Sequence, residues 1–299
     1  MPSLAERLRF LVSPRFRAAH PLVPVVRLAG AIGVGVGLRQ GLSFQGVASA
    51  LERAFSMPGA KGVALLVNSP GGSPTQSHLI HRRIRLLAAE KKLPVWAFCE
   101  DAAASGGYMV ACAADEIFAD PNSIVGSIGV VSGGFGFHEL IGRWGIERRL
   151  YTTGENKAIL DPFQPEDPAD VARLRTIQER IFTGFKDLVI ERRGARLDRT
   201  QEAELFSGAF WAGEDAKALG LVDGIGEIRT TLREKLGEKV RLRLVQPPRP
   251  GLVAQILRRG PQQEEPLAGL RGALGTGLVD PRAALATLEE RALWARLGL

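Results

Sequence analysis

The stretch "GVALLVNSPGGS" at residues 62–73 constrains the fold more than any other part of the chain. A strand half-exposed to water alternates apolar and polar residues, and this one does not. A continuous apolar run ending in a Gly-rich loop belongs to a strand buried on both faces, as in a parallel sheet covered by helices. The same unit of strand, Gly-containing loop and helix recurs. "VPVVRLAGAIGVGVG" (24–38) reads as one or two strands, and "PVWAFCE" (94–100), "DEIFADP" (115–121) and "SIVGSIGVV" (123–131) as further strands. Residues 43–56 have helical spacing, with Val47, Leu51 and Phe55 on one side. Residues 75–92 form an amphipathic helix with Leu79, Ile80, Ile84 and Leu87 facing inward. Beyond about residue 165 the pattern changes to a long helix (167–194), shorter helices to 226 and a last strand at 239–245. The Pro-rich "QPPRPG" marks a boundary. The expected organisation is a basic N-terminal segment (1–21), an α/β domain (22–245), and a Pro-rich linker with a helical C-terminal extension (246–299).

Charge narrows the function classes. Residues 1–30 carry five Arg against one Glu, and residues 241–299 nine Arg against five acids. Each end is therefore +4, which leaves 31–240 at −1 of the total +7. A nucleic-acid face needs Lys and Arg clustered on structured surface, so a nucleic-acid groove in the fold is not expected. Basic ends suit solvated tails, or peripheral contact with an anionic membrane surface. The N-terminal residues contain no apolar run near the ~20 residues of a membrane span, and Ser13-Pro14-Arg15 interrupts any signal-peptide core. The expectation is a cytoplasmic protein, peripheral at the inner membrane if membrane-associated at all. Cys99 and Cys112 lie in apolar runs without metal-ligand spacing and read as buried small hydrophobes of a reducing compartment.

In open α/β sheets, reactive groups collect in loops beyond the carboxyl ends of strands. Two loops qualify: Asn68-Ser69-Pro70-Gly71-Gly72-Ser73, and Ala104-Ser105-Gly106-Gly107 inside "AAASGGYMVACAADEIFADP". Adjacent glycines cost about 1 kcal/mol each in a helix interior, so Ser-Gly-Gly is better placed where a helix begins. Glycine loops at a helix start offer unshielded N–H groups and a favourable dipole to a developing oxyanion. Tight turns account for the glycines equally well, and a helix cap accounts for Ser105.

A nucleophilic serine needs a base. His20 lies in the tail, and His78 and His81 sit among arginines on a helix face expected to be exposed. His138, after "GGFGF", is the one histidine candidate, with no Asp placed to orient it. Lysine is the other option. It acts as a base only when neutral, about one molecule in 2,500 at pH 7 for a free side chain, so it needs an unusual context. Lys61, Lys91 and Lys92 have surface settings, and Lys186 and Lys217 lie on amphipathic helices. Lys157, in "YTTGENKAILDPFQPED", follows an expected strand at 146–151, precedes Ala-Ile-Leu and stands apart from other lysines. A surface lysine fits there too.

"NSPGGS", "ASGGYMVACAADEIFADPNSIVGSIGV" and "ENKAILDPF", in this order, resemble the signal-peptide-peptidase (SppA, protease IV) family of serine proteases. That family belongs to the ClpP/crotonase superfamily, and the resemblance covers about residues 22–245. It implies a ClpP/crotonase-like spiral of ββα units and a serine endopeptidase with a Ser/Lys dyad. Ser105 would be the nucleophile, Lys157 the general base, and Ser127 the hydroxyl that positions the lysine. Backbone N–H groups of Gly71, Gly72 and Gly106 would form the oxyanion hole, with no metal or cofactor. It also implies peptide or unfolded, membrane-derived substrates, signal-peptide remnants among them. A ring homo-oligomer is implied as well, an octamer being the suggested size, with serine and lysine from neighbouring protomers. Two other readings stand beside it. A crotonase-type acyl-CoA enzyme would use Glu100 and Asp101 near the glycine loops, and a non-catalytic scaffold in membrane-protein quality control would not need Ser105.

Overall fold

Three apolar runs form the centre of an eight-stranded sheet in the computed structural model, which describes residues 20–33, 41–154, 156–246, 288 and 291–299. They are β1 (Leu22–Ala29), β2 (Val63–Ser69) and β3 (Val95–Ala104), all paired in parallel. Both faces of β2 are covered, as its continuous apolar sequence requires. On one face, α1 (Phe44–Phe55) and α2 (Pro74–Lys91) bring Leu51, Phe55, Ile80 and Ile84 onto Leu65 and Val67. On the other, Ala64 packs with Val23, Trp96, Phe98 and Phe118, under Leu232 of α8 (Ile228–Leu236).

The second half of the domain extends this sheet. Short α3 (Gly106–Ala111) leads into β4 (Glu116–Ala119) and β5 (Ile124–Gly126). After α4 (His138–Arg143) comes α5 (Pro168–Arg193), the long helix expected at 167–194. Then follow α6 (Glu202–Leu205), β6 (Phe210–Trp211), α7 (Gly213–Ala218), β7 (Gly224–Ile225) and, after α8, β8 (Arg241–Leu244). The sheet order is β6-β5-β3-β2-β1-β8, with β4 joining β3 to β7. Only β6, against β5, is antiparallel.

β3 serves two partners on one side, and this positions the site. Its first part, Trp96–Cys99, pairs with β4, and its last, Ala102–Ala104, pairs with β5. Between them the register with β2 slips: Val67 lies opposite Cys99 but Ser69 opposite Ala103, so β3 bulges at Glu100 and Asp101. Asn68 holds the bulge, donating from Nδ2 to Asp101 (2.6 Å) and accepting at Oδ1 from the Ala102 N–H (3.3 Å). A bulge bends and twists its strand, and here the redirected end of β3 carries Ser105.

Several expectations need correction. β5 ends at Gly126 rather than running to 131, because Ser127 turns the chain with φ 54°. Residues 146–151 form no strand. His81 is not on an exposed face. The buried stripe of α2 is Ser77, Ile80, His81, Ile84, Leu87 and Ala88, while Leu79, expected inward, is 37% exposed. A spacing of three and four residues selects His81 with Ser77 and Ile84 whatever the local hydropathy. Cys99 and Cys112 are buried as expected, and burial pushes their thiols up to about 12 and about 11. Among the described residues, no helix is long and apolar enough to cross a membrane. The basic N-terminal segment and most of the C-terminal extension lie outside the described residues, although 291–295 are helical.

The position of His81 makes stability depend on acidity. It is 8% exposed, and burial, aided by the Arg192, His78 and Arg85 charges, holds its imidazole down at about 4. An unfolded histidine titrates near 6.5, so as pH falls the unfolded chain takes up the proton first. Stability from this group is complete above about pH 6.5 and is lost as pH falls towards 4, by about 3 kcal/mol in all. A His81→Leu chain should therefore show a flatter urea midpoint between pH 6.5 and 4 than the wild type. Equal slopes would refute this.

Candidate active site

Ser105 stands between the last residue of β3 and the first of α3, with φ 52° and ψ −121°. A non-glycine residue in that region is strained, by about 1–3 kcal/mol. The turn is held on both sides. The Ser105 N–H donates to Gly126 O (2.8 Å), and the buried Tyr108 hydroxyl anchors α3 by donating to Leu221 O (2.8 Å). Ser105 occupies the N-cap position of α3 yet makes no capping hydrogen bond. The capping alternative therefore fails. The residue lines a cavity of about 430 Å³ with Ser127, Gly129, Val130, Phe182 and Phe206.

The glycine loop after β2 lies directly against this turn. A Cβ on Gly71 (φ 103°) would come within 2.7 Å of Ser105 Cβ, and one on Gly72 (φ 133°) within 2.2 Å of Ile32 O. The Gly71 N–H is taken by Ser69 Oγ (3.2 Å), which removes one of the three expected donors. The Gly72 and Gly106 N–H groups donate to no described residue, and both residues line a small cavity beside Ser105. Two free N–H groups at the end of a strained serine turn are what an oxyanion next to that serine requires.

Gly106 and Gly107 are glycines because of the neighbouring chain. A methyl on Gly106 would sit 2.3 Å from the buried Ser77 Oγ, and one on Gly107 2.5 Å from Ser69 O. Displacing the Gly106 N–H by such a contact should cost about 10²–10³ in kcat. Gly106→Ala assayed on a short apolar peptide checks this; turnover within threefold of wild type would show that the N–H does not serve the reaction.

Ser127 follows β5 as Ser105 follows β3, and the paired strand ends, Ala104 beside Gly126, bring both serines to one cavity. Its N–H donates to Ala209 O (2.6 Å). Lys157 is elsewhere. It is exposed and does not line the Ser105 cavity. It belongs to a segment that presents Phe135, Trp144 (76% exposed) and Tyr151 (90% exposed) to solvent. His138 lines a separate cavity of about 350 Å³ with Asp161, so no Ser105 triad is assembled around it. Glu100 pairs with Arg27 (2.9 Å) and Asp101 accepts from Asn68, which commits the carboxylates of the crotonase-type reading elsewhere. Gln178, Glu179 and Phe182 of α5 supply a further cavity wall that no motif in the sequence singles out. The long helix was visible in the sequence, but which of its faces covers Ser105 was not.

A strained strand–turn–helix serine beside free N–H groups defines a candidate acyl-transfer site, and similarity to known proteins agrees in class. A model described as peptidase family S49 matches residues 88–242, just over half of the chain. The chain belongs to that family. It is 50% identical over its full length to a protein named Na(+)/H(+) antiporter NhaA from Brucella abortus, covering 39% of it. It is 33% identical to Protease 4 of Haemophilus influenzae, over 73% of this chain and 35% of that protein. The chain thus spans well under half the length of both. A solved structure of a 1510-N membrane-bound stomatin-specific protease mutant is similar with a TM-score of 0.48 and 16% identity, covering 77% of this chain and 100% of that one.

Proposed function

We propose that this chain is a serine endopeptidase with Ser105 as nucleophile and Lys157 as general base. The observation that carries the reading is the strained, uncapped Ser105 between two N–H groups with no described partner. Neutral Lys157 takes the Ser105 proton as Oγ attacks a peptide carbonyl. The oxyanion is held by the Gly72 and Gly106 N–H groups. The ammonium protonates the leaving amine, and water then cleaves the acyl-enzyme. Ser127 holds the lysine amine through its hydroxyl.

Lys157 is exposed and outside the cavity of its own chain. This favours a ring in which it reaches the Ser105 of a neighbouring copy, the exposed apolar segment around it forming the contact. An octamer is the size the family resemblance suggests. Substrates are unfolded or membrane-derived polypeptides with small or apolar side chains, which suit a cavity lined by Val130, Phe182 and Phe206. A relative named as an antiporter, and basic chain ends, favour work at a membrane surface.

The test compares wild type with Ser105→Ala on casein and on short apolar peptides, without added metal. Wild type should cleave both and the variant neither. Equal rates would remove the peptidase reading.

A further inference from the structure

Residues 291–299 lie against the candidate site rather than apart from it. Leu297 (8% exposed) is buried with Ala102 and Ala104, and Ile124 and Trp294 pack on the same small cluster. Ala102 and Ala104 are alternate residues of β3 on one face, and the second of them precedes Ser105. Arg296, next to Leu297, lines the cavity that holds Ser105, Ser127 and Glu179. The burial of Leu297 on β3 and the lining of the cavity by Arg296 together place this segment at the cavity wall.

The segment does not lie there as a substrate would. Residues 291–295 are helical, and the N–H groups of Arg296, Leu297, Gly298 and Leu299 donate to Ala292, Trp294, Ala295 and Trp294 carbonyls. An extended peptide in a protease groove offers those groups to the enzyme instead. A helical segment that spends them internally borders the cavity without occupying it. Its apolar hold is one leucine and part of a tryptophan, in a cluster separate from the main core. Local contacts this few open far more readily than the core of the domain.

We infer that residues 291–299 form a detachable wall of the catalytic cavity, which limits the bulk of the peptide that reaches Ser105. The inference rests on the serine-peptidase reading. When docked, the wall admits small or short apolar segments past Arg296. When released, it opens the cavity on that side to bulkier chains. Leu297 acts through the position of Arg296 and is a positioning residue.

The experiment uses the whole chain and two fluorophosphonates that modify a reactive serine, one small and one carrying a bulky peptidyl group. Labelling rates at Ser105 are compared for wild type, Leu297→Glu and Leu297→Ile. Leu297→Glu should raise the bulky-probe rate about tenfold, the factor expected for losing one leucine contact. The small-probe rate, which also reports correct folding of the site, should stay within twofold, and Leu297→Ile should behave as wild type. An unchanged ratio of bulky to small rates in Leu297→Glu, with Ser105 labelled, overturns the wall alone. Failure of both probes to label Ser105 in wild type overturns the peptidase reading, and the wall with it.

Discussion

Ser105→Gly is expected to lose peptidase activity by about 10⁵ or more while the protein becomes more stable. The two effects come from one residue. The hydroxyl is the nucleophile, and its loss leaves only binding and the N–H groups. The backbone, at φ 52° and ψ −121°, is unfavourable for any side chain and open to glycine. The serine side chain makes no hydrogen bond with described residues that would offset the strain. After allowing for glycine's larger entropy loss on folding, a net gain of about 1 kcal/mol is expected, or a few degrees in Tm. Ser105→Ala should be as inactive without the gain, because it keeps a Cβ. A purely structural serine predicts the opposite pairing, with activity retained. Peptide turnover and thermal unfolding on the same preparations decide between them.

Lys157→Ala should reduce turnover by about 10²–10⁴, the range for loss of a general base, with an unchanged urea midpoint because the side chain is exposed. A mixing experiment adds a second readout. If the dyad is completed between chains, Ser105→Ala and Lys157→Ala proteins, each inactive, should regain activity when co-assembled. Each mixed interface that joins an intact Ser105 to an intact Lys157 restores one site. Full activity of Lys157→Ala alone would remove the lysine from the mechanism. Recovery absent at every mixing ratio, in assemblies shown to contain both variants, would contradict a dyad shared between chains.

Much of this arrangement is legible in the sequence where one residue type admits one physical explanation. Continuous apolar runs become the doubly covered strands β1, β2 and β3. The Ser-Gly-Gly at 105–107 becomes a strand-to-helix turn, and its glycines answer to contacts with Ser77 and Ser69. Less legible are features set by distant segments. The bulge at Glu100 and Asp101 depends on Asn68, and it lengthens β3 beyond the expected strand end. His81 reads as exposed from its Arg neighbours but is buried by the helix period. The loss of Gly71 as a donor depends on the Ser69 rotamer. Residues 146–151 form no strand and Lys157 is exposed, and local hydropathy reveals neither.

The role of Ser105 as the nucleophile of a peptidase is tested by titration of the wild-type chain with a small fluorophosphonate, following apolar-peptide hydrolysis and locating the adduct by mass spectrometry. A single adduct on Ser105, with hydrolysis falling in proportion to its occupancy, is the predicted result. An adduct on another residue, or undiminished hydrolysis by a chain fully modified at Ser105, would contradict it.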